Sequence, residues 1–465
     1  LRARLASGGL ADVQARLQAL ALPPAPRAGV LTRLSRDAQG TDPALAAALA
    51  RAAYALDPKP FRAKWLALRL WDAGAIDEAD DLLAPLAPTD FSPSERRRRA
   101  EIAAARALKQ ALPGWDEADA PSYDPQPDAL LYVAASALPY HGSGYATRTH
   151  ALAQALRAAG CALTVLTRPG YPWDRPDRSG QPQGSETLLD GVRYRHFRHP
   201  SRELPFETYV REAAEVVKAE ARRIGAARIH AASNAENALP ALIAARELGL
   251  PFTFEMRGLW ELTRAASVPG YADSERFALQ MALERHCAVH ADDLRVISGP
   301  VGRQAEAWGV EPARIRLLPN CVAEVPPEPV GPGSAAGALR LAYAGSVLDY
   351  EGLTLLVDAV ARLRCEGLDL RLDVAGSGKA MPALEARVRD AGVQDVVTLH
   401  GRIAPEAVQP LIERADAVAL PRLPLPVCET VPPIKLVEAM ALARAVVVPD
   451  LAVFRDEVDD GVEGL

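Results

Sequence analysis

The hydrophobic pattern changes character twice along the chain. Up to about residue 112 it is rich in Ala and Leu with interspersed Arg, and no segment reads as a strand. Segments 44–57 and 61–72 predict helices whose small Ala positions allow close packing. Ser7–Leu17 and Asp72–Leu82 look alike, and their glycines, Gly9 and Gly74, stand about two 34-residue periods apart. The expectation is a degenerate tetratricopeptide-type array. Trp65 and Trp71 are expected in its core. Residues 113–128 are rich in proline and acid and read as a linker.

Beyond the linker, short apolar runs alternate with helical segments. Strands are expected at 129–136, 162–167, 192–197, 228–232, 252–256, 294–297 and 315–318. Helices are expected at 146–159, 208–224, 238–247 and 275–290. A second linker, 324–336, precedes strands at 339–344, 369–375, 396–400, 417–420 and 445–448. The rhythm predicts an α/β fold with two parallel, doubly wound, Rossmann-like domains facing a cleft, after an all-α helical-repeat-like domain. The expected boundaries are 1–112 (helical), 113–128 (linker), 129–325 (first α/β domain) and 326–465 (second). Ligands of such sheets sit outside the carboxyl ends of the strands.

Composition narrows the class. Apolar residues make up 49 % and charged residues 24 %, as in a globular protein. A net charge of -6 argues against a dedicated nucleic-acid binder. The one dense basic run, Arg96–Arg99, is short and reads first as a solvated helix face. Five cysteines, an odd count with no CxxC pair, suggest free thiols and a cytoplasmic setting. No apolar run is long enough for a transmembrane helix. No secretory leader is expected, membrane contact is expected to be at most peripheral at the inner face, and both ends are expected to be trimmed.

Candidate chemistry gathers at strand ends. Gly142, Ser143 and Gly144 lie between the first strand and its helix, where glycine lets backbone N–H groups approach a phosphate or sugar. Arg148 and His150 follow in the first turns of that helix. Glu255, Arg257 and Glu261 stand at another strand end. In the second half, Gly345-Ser346, Gly376-Ser-Gly378 and Gly401-Arg402 repeat the glycine turn. The densest segment is Pro421–Pro449. It carries Arg422, Glu429, Thr430, a Pro-Pro stop, Lys435 and Glu438, with Glu438 expected to open a helix. A helix N-terminus, a lysine and a carboxylate together suit a diphosphate and vicinal sugar hydroxyls.

With these elements in place, residues from about 130 to 465 resemble glycosyltransferases of family 4, with the GT-B fold. The matching segments are HGSGYATRTHALAQALRAAGCALTVLT, FEMRGLWE, ADDLRVIS with LLPNCV, LAYAGSVLDYEGL, LDVAGSGKAMPALEARV, VTLHGRI and VPPIKLVEAMALARAVV. The resemblance implies retaining transfer of a hexose-type sugar from a nucleotide-diphosphate sugar, most often UDP- or GDP-linked, with no cofactor and no essential metal. It implies that Glu438 binds the donor ribose. Glu429 or Thr430 would contact the donor sugar; Glu429 is one residue out of the family's spacing, and Thr430 is the strict match. Where the family places Arg and Lys to hold the diphosphate, this chain has Ser346 and Glu351. Arg422 and Lys435 are the expected substitutes, and Arg402 a third. Arg257, His150 and the 142–144 loop would face the diphosphate or acceptor. The expected acceptor is a glycan or lipid-linked glycan, and the helical domain is a candidate partner or acceptor platform. The family's last helix is expected beyond residue 465. Rival readings are a protein O-glycosyltransferase whose array grips peptide, a nucleotide-sugar epimerase, and a scaffold with a degenerate transferase half.

Overall fold

Proline opens the helices of the N-terminal region: Pro24, Pro43, Pro60 and Pro93 each sit in a first turn, where the missing N–H costs nothing. The computed structural model describes residues 2–20, 22–112, 114–115, 123–175, 184–322, 325, 337–462 and 464. Helices form at Arg2–Ala19, Pro24–Ala38, Pro43–Leu56, Pro60–Ala73, Asp77–Leu83 and Pro93–Gln110. Asp42 caps the third by accepting from Leu45 N at 2.9 Å. Ser92 and Glu95 form a capping box on the last. Gly9 falls inside a helix, whereas Gly74 ends one with φ +95°. The two look-alike segments therefore occupy different places, because one glycine propagates a helix and the other terminates it. Half of the first linker read from the sequence, and all of the second but residue 325, fall outside the described residues.

Thirteen strands follow among the described residues: β1 (Ala129–Ala134), β2 (Ala162–Thr167), β3 (Glu186–Leu189), β4 (Val192–Arg195), β5 (Arg228–Ala232), β6 (Phe252–Met256), β7 (Asp293–Val296), β8 (Ile315–Leu317), β9 (Leu339–Ala344), β10 (Leu370–Ala375), β11 (Val397–Gly401), β12 (Ala417–Ala419) and β13 (Ala445–Val447). The chain divides into two compact units. The first comprises residues 1–142, 153–254 and 259–292. Its strands run in the order β3-β4-β2-β1-β5-β6. β1 pairs in parallel with β2 and with β5.

One pair departs from the all-parallel expectation. β3 is antiparallel to β4, and the sequence reading missed it. Two residues join them, Asp190 (φ +46°) and Gly191 (φ +76°). Asp-Gly is the signal for such a tight turn, and it was present in the sequence.

In the same unit Glu275 is one of several residues that fasten the helical region to the sheet-bearing part. Glu275 Oε2 accepts from Ile76 N at 2.5 Å and Asp77 N at 2.9 Å, and Lys109 pairs with the same side chain. Asp77 starts a helix, so Glu275 satisfies N–H groups that the helix itself leaves open.

The second unit comprises residues 143–152, 255–258 and 293–465. β7 and β8 pair in parallel. The main sheet is wholly parallel, in the order β11-β10-β9-β12-β13. β9 lies at the centre, and the winding direction reverses between β9 and β12. That reversal opens a crevice at the carboxyl ends of the strands.

Candidate active site

Three loops enter the crevice of the second unit. The loop after β9 carries Gly345, Ser346 and, one turn on, Glu351. The loop after β10 carries Gly376, and Arg422 follows β12. With helix Ile434–Ala441 they line a cavity of about 550 Å³. Gly144, Gly345, Ser346, Gly376, Arg402, Arg422, Lys435 and Glu438, all singled out from the sequence, are among its walls.

A charged cluster forms its floor. Glu351 Oε1 accepts from Arg422 Nη2 at 3.2 Å, and Oε2 accepts from Lys435 Nζ at 2.7 Å. Tyr343 Oη accepts from Lys435 Nζ at 2.7 Å and donates to the Ser346 carbonyl at 2.7 Å. Burial alone would raise the Glu351 pKa; Lys435 and Arg422 outweigh it and hold the carboxyl below its usual range. Burial lowers the Lys435 pKa against the pull of Glu351. Two cations share one carboxylate, so the floor keeps about one net positive charge. The Arg422 Nε hydrogen is buried and has no partner among the described residues.

Glu438 lies one turn inside helix Ile434–Ala441, and Lys435, not Glu438, is in the first turn. The i, i+3 spacing puts the two side chains on one helix face. Burial raises the Glu438 pKa, and Lys435 partly counters it.

The entry to that helix is held by its carbonyls. Ser298 Oγ donates to Thr430 O at 2.6 Å, Arg422 Nη1 to Val431 O at 2.7 Å and Asn320 Nδ2 to Pro432 O at 2.9 Å. Three successive carbonyls are thus pinned by side chains from three separate segments. The flanking prolines, Pro432 and Pro433, have no N–H with which to anchor the loop. The sequence reading noted the segments of Ser298 and Asn320 but gave neither residue a role, and it read Glu351 as a subgroup variation of the family pattern without pairing it with Arg422 or Lys435.

Other expected residues are placed differently. Arg148 Nε donates to Glu255 Oε1 at 3.2 Å, Nη1 to Pro319 O at 2.6 Å and Nη2 to Leu318 O at 2.7 Å. Arg257 holds both Glu255 oxygens, at 2.9 and 3.1 Å, and donates to Thr149 Oγ1 at 2.7 Å. These guanidinium groups spend their donors on the frame, and neither lines the cavity. His150 is buried and is not among the cavity walls. Ser143 Oγ accepts from Ala146 N at 3.3 Å, capping helix Gly144–Ala158. Gly142 is outside the walls.

Glu429 also lies outside the cavity, and it accepts from the backbone N–H of Ala452 at 2.7 Å. Thr430 Oγ1 turns back to Pro426 O at 2.8 Å. The glycine turns serve loop packing more than N–H donation. Gly345 N donates to Ala375 O at 2.9 Å and Gly376 N to Gly401 O at 2.7 Å. A Cβ on Gly376 would lie 1.7 Å from Gly345 O, and one on Gly378 would lie 2.0 Å from Val347 O.

Parts of this chain are similar to known proteins. Residues 143–321 match the family described as "Glycosyl transferase 4-like domain", and residues 338–465 match "Glycosyl transferases group 1". Together these cover more than half of the chain. An alpha-D-kanosaminyltransferase of Streptomyces kanamyceticus is 28 % identical over 123 residues, which are 26 % of this chain and 31 % of that protein. The chain thus matches about a third of the length of that curated relative. Sucrose-phosphate synthase from Thermosynechococcus elongatus aligns over 73 % of this chain and 85 % of its own, at 19 % identity and TM-score 0.55. Anabaena Alr3699/HepE in complex with UDP-glucose aligns over 72 % and 84 %, at 13 % identity and TM-score 0.51.

Proposed function

Since the chain belongs to glycosyltransferase family 4 and has the GT-B fold, we propose that it moves a hexose-type sugar from a nucleotide-diphosphate sugar to a glycan or lipid-linked glycan. The observation that carries this reading is the cluster Arg422–Glu351–Lys435 in the floor of the cavity. The diphosphate binds against Lys435, Arg422 and the loop at Ser346. The Glu438 carboxylate accepts hydrogen bonds from ribose hydroxyls. The UDP-glucose complex of the HepE structure supports a nucleotide-sugar donor for this fold.

Catalysis rests on stabilising the leaving diphosphate as the glycosidic bond breaks. Among the described cavity walls the carboxylates are Glu351 and Glu438. Glu351 is bound by its two cations, and Glu438 is reserved for the ribose. We therefore assign the acceptor's proton to a diphosphate oxygen, with attack on the face the leaving group vacates and retention of configuration. The charge beside the diphosphate comes from Lys435 and Arg422, so no metal is required in this scheme.

The positions at which the family's Arg and Lys were expected hold Ser346 and Glu351, which is the best support for the rival reading of a degenerate scaffold. Supporting an active site instead, two cations reach the same crevice from β12 and from helix Ile434–Ala441. A thermal-shift panel with UDP, GDP, ADP and CDP tests the reading. One nucleotide raises Tm in a concentration-dependent way, in EDTA as well, and the rise disappears in Glu438→Ala and Lys435→Ala. No rise with any of the four defeats it.

A further inference from the structure

A second cavity, of about 230 Å³, lies within the first unit, between the helical region and the sheet-bearing part. A cavity of roughly 150 Å³ accepts benzene, so this one has room for a substituted six-membered ring. The helical region contributes Trp71 and Leu108; Phe206, Glu261 and Arg276 face them from the other side.

Glu261 is 4 % exposed, and its Oε2 has no hydrogen-bond partner among the described residues. Behind it Glu284 is fully buried, with Oε1 accepting from Ala235 N at 2.6 Å. Burial raises the Glu261 pKa. Burial, and then the charge of Glu261, raise that of Glu284. Two buried carboxylates, one of them on a cavity wall with an acceptor left open, weaken the fold unless a ligand completes them.

The walls define that ligand. Trp71 and Phe206 offer apolar ring surfaces, and Arg276 stacks on Trp71 with its guanidinium 4.1 Å from the ring centroid. The charged walls are three glutamates and two arginines, which nearly balance. A strongly charged ligand of either sign gains little there. A ring with one apolar face and donating hydroxyls satisfies both kinds of wall.

We propose that this cavity binds a sugar residue of the acceptor, with a sugar hydroxyl donating to Glu261 and the helical region supplying one wall. The proposal rests on the transferase reading for the word acceptor, and on the cavity alone for the sugar.

Saturation-transfer NMR of the full chain, saturated with the nucleotide that binds best (UDP if none does), tests it. The probes are the methyl glycosides of glucose, galactose, mannose and N-acetylglucosamine. At least one shows transfer to wild type. Glu261→Gln weakens it about tenfold, because Gln accepts less strongly than a carboxylate. Ala105→Trp, which fills the cavity from the helical side, abolishes it. Glu261→Gln melts no lower than wild type, since it removes a buried charge, and that rules out misfolding as the cause. The proposal is overturned if no glycoside binds wild type, or if binding is equal in both cavity variants. If glycosides bind through Glu261 while no nucleotide shifts Tm, the transferase reading fails and the sugar site stands.

Discussion

The ammonium of Lys435 lies 2.7 Å from Glu351 Oε2, both side chains are largely buried, and 84 residues of sequence separate them. This contact joins the loop after β9 to the helix that follows the Pro-Pro turn. Without Glu351, Arg422 and Lys435 would lose the buried carboxylate they share.

Glu351→Gln should therefore cost about 3 kcal/mol of stability, as expected when one partner of a buried pair is removed. Glu351→Gln with Lys435→Met should recover part of that loss, and urea denaturation of the four proteins in the cycle measures the coupling. The pH sign follows from the depressed Glu351 pKa. Its contribution is full above the unfolded value of 4.5 and is lost as pH falls through the lower folded value. The acid limb of wild-type stability should flatten in Glu351→Gln.

Glu429 distinguishes a sugar contact from a helix cap. With its carboxylate on Ala452 N, Glu429→Ala should lower stability by about 1 kcal/mol and leave nucleotide affinity unchanged. Calorimetry with the preferred nucleotide, beside a melting curve, gives both readouts. Unchanged melting with a collapse of transfer activity would return Glu429 to the donor sugar.

The glycine turns predict a sharp contrast. Gly376 has φ +145°, and an added Cβ would meet the Gly345 carbonyl. Gly376→Ala should cost about 3 kcal/mol or more, or yield insoluble protein. Gly392, at φ +65° with open space around it, should cost only about 1 kcal/mol as alanine. Equal melting temperatures for the two variants would contradict the packing role of Gly376.

The buried carboxylates of the first unit give the opposite pH sign. The Glu284 pKa is raised in the folded chain, so its favourable contribution is full below 4.5 and declines as pH rises toward the folded value. Glu284→Gln keeps an acceptor for Ala235 N and removes the titration. Its Tm advantage over wild type should grow as pH rises from about 4.5 into the neutral range. A constant difference across that range would contradict it.

Strand–helix alternation, glycine turns at strand ends and the Arg422–Glu438 segment were legible in the sequence, because period and turn chemistry are local properties. Strands β2, β5, β6 and β9 and helix Glu275–His290 occupy the expected residues. The antiparallel pair β3–β4 was equally legible through Asp190-Gly191 and was passed over. What the sequence could not decide is which donors remain available to a ligand. Arg148, Arg257, Arg422 and Lys435 look alike as isolated cations. Tertiary packing gives all three donor nitrogens of Arg148 to Glu255 and to the carbonyls of Leu318 and Pro319. It leaves Arg422 with a buried N–H beside the cavity. Hydrogen-bond partners far apart in sequence set that difference, and burial then sets its energetic weight. The same holds for Glu261 and Glu284: 23 residues separate them along the chain, and only the folded first unit turns them into a buried pair beside a cavity.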